Sequence, residues 1–116
     1  MGDKKNALDF LNQSLKMFRK NGNHLLEAYA FYCIASVMRQ LGNLEESLTQ
    51  IEVGLNLIDT LSYNESDPPE FFENLEHCYE FYISLLNELH KQHPAAGYDV
   101  KARQAIIRMN KVLLNE

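Results

Sequence analysis

Three groups of side chains have the types and spacing to do chemistry. His90 and His93 stand at a three-residue step, and with His77 or Cys78 they could share a metal ion. Glu70, Glu73, Glu76 and Glu80 form a ladder of carboxylates of the kind that supplies paired general acid and base. Asn64-Glu65-Ser66 is a glycosylation triplet. Each has a plainer account. The histidines sit at a helix end with no carboxylate–His pattern of recognised spacing, so they read as solvated side chains. The glutamates open a helix, where negative charge offsets the positive end of its dipole. The triplet, with no signal peptide before it, reads as loop. A Gly-rich phosphate loop and a nucleophile elbow are both lacking. The expectation is a non-enzyme with no catalytic residues, no metal and no cofactor.

Composition bounds the alternatives. A chain of 116 residues, 46% apolar and 23% charged, is read as one soluble domain spanning 1–116. No apolar run reaches the roughly 18 residues that span a bilayer. The opening Met1-Gly2-Asp3-Lys4-Lys5-Asn6 lacks a signal peptide's apolar stretch, and Asn6 stands where myristoylation wants Ser or Thr. Cys33 and Cys78 lie in apolar helical stretches and read as reduced, buried thiols, which fits an intracellular, cytoplasmic protein. The net charge of −5 is unevenly spread: +3 over residues 1–24, −11 over 25–90 and +3 over 91–116. An acidic belt either solvates helix faces or attracts a basic ligand. Nucleic acid needs a concentrated basic stripe, so neither it nor a membrane is an expected partner.

The elements that would carry these residues are five helices. The first, about 4–20, has Ala7, Leu8, Leu11, Leu15 and Phe18 on one stripe. Asn21-Gly22-Asn23 ends it and Asn23 caps the next. The second, about 24–41, is apolar around most of its girth, from Leu25 to Leu41, and must be packed on more than one side. Gly42 closes it. Asn43 and Glu46 open the third, about 44–61, with Leu48, Ile51, Leu55 and Ile58 inward. After the loop Ser62–Ser66, Asp67, Pro68 and Glu70 read as the start of a fourth helix running to about 91. His93-Pro94 stops it, and a fifth runs from about 99 to 115.

One internal echo organises these helices. Gly2, Ala7, Leu8, Leu11, Leu15 and Phe18 each precede Gly42, Ser47, Leu48, Ile51, Leu55 and Ile58 by 40 residues. A period of that size marks stacked helical repeats. Within residues 15–57, Phe31, Ala35 and Met38 on one helix face Ser47, Ile51 and Gly54 on the next, a small–large alternation with a turn at Gly42. This resembles a tetratricopeptide repeat. The resemblance implies an all-α fold, an antiparallel superhelical stack of helix hairpins. Residues 2–22 would be a half repeat, 24–61 a complete one, and 67–116 a degenerate one plus a C-terminal helix. The chain departs from the family at Asp59, where a proline is common, and in its spacing of 40 rather than 34.

The resemblance implies a concave binding face on the first helix of each pair. Here that face would show Tyr29, Tyr32, Ser36, Arg39 and Gln40, extended by Tyr79 and Tyr82. Tyrosine suits a groove because its rigid ring offers area and its hydroxyl a hydrogen bond. The same tyrosines could instead wedge helices apart, and the residues alone leave both readings open. Arg39 is the only Lys or Arg between positions 21 and 90, which argues against a carboxylate clamp and for a basic or apolar helix as ligand. The expected function is a non-catalytic protein–protein interaction scaffold binding a peptide or helix of a partner chain. The alternative is a sensor domain that binds a signalling peptide and switches oligomeric state.

The first helix poses a separate question. Its stripe Leu8, Leu11, Leu15 and Phe18 would find only part of its cover on residues 24–41, leaving an exposed apolar patch. Three arrangements would cover the rest: preceding repeats of a longer chain, which is favoured, a homodimer through this helix, or a partner's helix.

Overall fold

A computed structural model describes residues 2–59 and 69–114. They form five α-helices and, among themselves, no strand: α1 (Gly2–Lys20), α2 (His24–Gln40), α3 (Leu44–Asp59), α4 (Pro69–Gln92) and α5 (Tyr98–Leu113). The expected loop 62–66, with its Asn64 triplet, and the expected cap at Asp67 and Pro68 lie outside the described residues. By packing, the chain divides into two compact units, Met1–Ser62 and Tyr63–Glu116.

In the first unit, α2 packs against both α1 and α3. The two turns that connect these helices are built alike. The Gly22 N–H donates to the Arg19 carbonyl (3.1 Å) and the Asn23 N–H to Phe18 (2.9 Å). Twenty residues on, Gly42 donates to Arg39 (3.0 Å) and Asn43 to Met38 (2.9 Å). This pair of bonds satisfies the last carbonyls of a helix, and it requires a left-handed residue that glycine alone adopts cheaply. Gly22 and Gly42 have φ of 69° and 85°. Asn23 also caps α2, its side chain accepting from the Leu26 N–H at 3.2 Å.

The small residues singled out in the sequence are where α2 and α3 meet most closely. Ser47 Oγ donates to the Ala35 carbonyl at 2.7 Å, with both residues buried. A Cβ placed on Gly54 would stand 3.1 Å from the Ala28 carbonyl oxygen and 3.1 Å from Phe31 Cβ. Glycine in mid-helix costs about 1 kcal/mol relative to alanine, and here that cost permits backbone-to-backbone approach. Leu48, Ile51, Leu55 and Ile58 are all buried.

The α1–α2 corner is held differently. Glu27 is buried at the start of α2 and accepts from Arg19 Nε at 3.0 Å, with His24 Nδ1 at 3.5 Å from its other oxygen. The Arg19 guanidinium also lies over the Phe31 ring, 5.7 Å from its centroid. Arg19 remains half solvated, so the pair orients the corner more than it stabilises it.

In the second unit α4 packs on α5. Leu75, Cys78, Tyr79, Tyr82, Leu85, Leu86 and Leu89 are buried along α4 at steps of three and four. The α5 side supplies the small residues Ala102 and Ala105, also buried. Gly97, in the left-handed conformation at φ 86°, precedes α5. A left-handed glycine followed five residues later by a buried small residue thus occurs twice, as Gly42 with Ser47 and Gly97 with Ala102.

Candidate functional site

On α2, one strip is left without full cover. Successive 100° steps of a helix place Tyr29, Tyr32, Ser36, Arg39 and Gln40 within about a third of its circumference. Tyr29 is 43% exposed and Gln40 is exposed, while Tyr32, Ser36 and Arg39 are half-buried. The two tyrosine rings meet edge to face, with centroids 5.8 Å apart and planes at 89°. That geometry pairs the positive edge of one ring with the negative face of the other and holds both rigid. The strip therefore presents a paired aromatic surface, with Arg39 about two turns further along the same face.

The sequence reading missed a member of this strip. Leu25, one turn before Tyr29, is 40% exposed on the same face. Its type placed it among core residues. The available signal was its position four residues before Tyr29 and seven before Tyr32, which aligns it with them rather than with Ala28 and Phe31.

Two expectations require correction. Tyr79 and Tyr82 do not extend an exposed face, because both are buried in α4, and the Arg108 guanidinium lies 5.8 Å from the Tyr79 ring centroid. Their neighbours explain the difference. Leu75 and Leu86 stand four residues before and seven after Tyr79, so the tyrosine falls on the apolar stripe of its helix. The polar Ser36 follows Tyr29 at the corresponding seven-residue step. The second correction concerns α1. Leu8, Leu11, Leu15 and Phe18 are not an exposed patch: Leu15 is buried, and the other three are half-buried against the cluster of Leu15, Ala30, Phe31 and Ile34. The exposed apolar residues of α1 are Phe10 (68%) and Met17 (63%).

Among the described residues, no group of three or more His, Cys, Asp or Glu is placed to hold a metal ion. No described helix is long and apolar enough to cross a membrane. Neither cysteine is in a disulfide. Burial raises the Cys33 thiol above its ordinary 9.0, an effect partly offset by a hydrogen bond from Tyr29. A raised thiol favours folding while it stays protonated, and that contribution fades as pH climbs past the unfolded value. In iodoacetamide labelling at about pH 8, Cys33 of the folded protein is expected to react on the order of tenfold more slowly than in denaturant. Equal rates would show the thiol to be open and unshifted.

Comparison with protein-family models, curated proteins and solved structures finds no match to this chain.

Proposed function

We propose that the chain is a non-catalytic helical scaffold of tetratricopeptide type, whose hairpins stack into a superhelix and whose α2 strip binds a peptide or helix of a partner protein. The observation that carries this reading is the rigid edge-to-face pair Tyr29–Tyr32, set with exposed Leu25 and half-buried Arg39 on a helix otherwise packed between two others. Rigid aromatics and arginine are the residue types that dominate binding energy at protein interfaces. The twofold use of one turn and the 40-residue echo support a repeat architecture. The acidic charge of residues 25–90, −11 in all, favours a basic or apolar ligand over an acidic one.

A peptide library selected on the wild-type chain and counter-screened on variants tests the assignment. Selected peptides are expected to be basic or apolar. They should lose at least about tenfold in affinity on Tyr32→Ala or Arg39→Ala, as interface anchors do. Peptides that bind both variants as tightly as wild type would place the binding surface elsewhere.

A further inference from the structure

We draw no further inference here: the strongest candidate, the apolar ridge of α5 where Val100, Ile107 and the C-cap Leu114 stand exposed at seven-residue steps, carries nothing because nothing in the structure shows what covers it.

Discussion

Gly54→Leu is expected to lower the stability of the chain by on the order of 3 kcal/mol, the upper end of what overpacking a well-filled site costs. The obstacle is specific. A Cβ at this position already meets the Ala28 carbonyl oxygen and Phe31 Cβ at 3.1 Å. The oxygen is backbone and cannot rotate away, so α2 and α3 must separate. Separation also stretches the buried 2.7 Å bond from Ser47 to Ala35, which adds the cost of an unsatisfied buried hydroxyl. Urea unfolding monitored by circular dichroism reads the effect as a fall in the midpoint. The control is Ser14→Leu, at the equivalent but only half-buried position of α1; it should move the midpoint far less, by on the order of 0.5 kcal/mol, as changes outside the core do. Equal losses at the two positions would mean that close approach at Gly54 is not what the glycine serves.

The second large effect belongs to the other unit. Leu86 is fully buried at 0% exposure, among the apolar residues of α4. Leu86→Ala removes its apolar contacts and leaves a cavity, for a loss of about 3 kcal/mol within the usual range for buried leucine. Hydrogen exchange of the α4 and α5 amides, against wild type, is the direct readout, and protection in both helices should fall. Ser84→Ala, an exposed site on the same helix, should leave it unchanged. Undiminished protection in Leu86→Ala would show that this leucine contributes little to the α4–α5 packing.

The helix starts and stops were legible because they are written locally. Gly22, Asn23, Gly42 and Pro94 act through their own backbone geometry, which no distant contact is needed to settle. The close contacts at Ala35, Ser47 and Gly54 were legible too, since a small residue on an apolar face has few uses other than proximity. Burial of aromatic residues was harder. Tyr29-x-x-Tyr32 and Tyr79-x-x-Tyr82 share a spacing, yet the first pair faces partly outward and the second is interior. A tyrosine is apolar in body and polar at its tip, so its type does not choose a side; the residues one and two turns away do. The same holds for α1. Leu8, Leu11 and Phe18 looked like a surplus because the sequence does not state how much of them α2 can cover. Phe10 and Met17 escaped attention because they stand off the main stripe.

The matched glycine turns have a consequence for how the chain comes to be folded. Each knot ties residues no more than five apart, and each packed pair in the first unit joins neighbours along the polypeptide. A nascent chain that has released only α1 and α2 already holds everything their junction requires. Assembly can therefore advance from the amino end one hairpin at a time, in step with synthesis, and search among distant pairings is largely avoided.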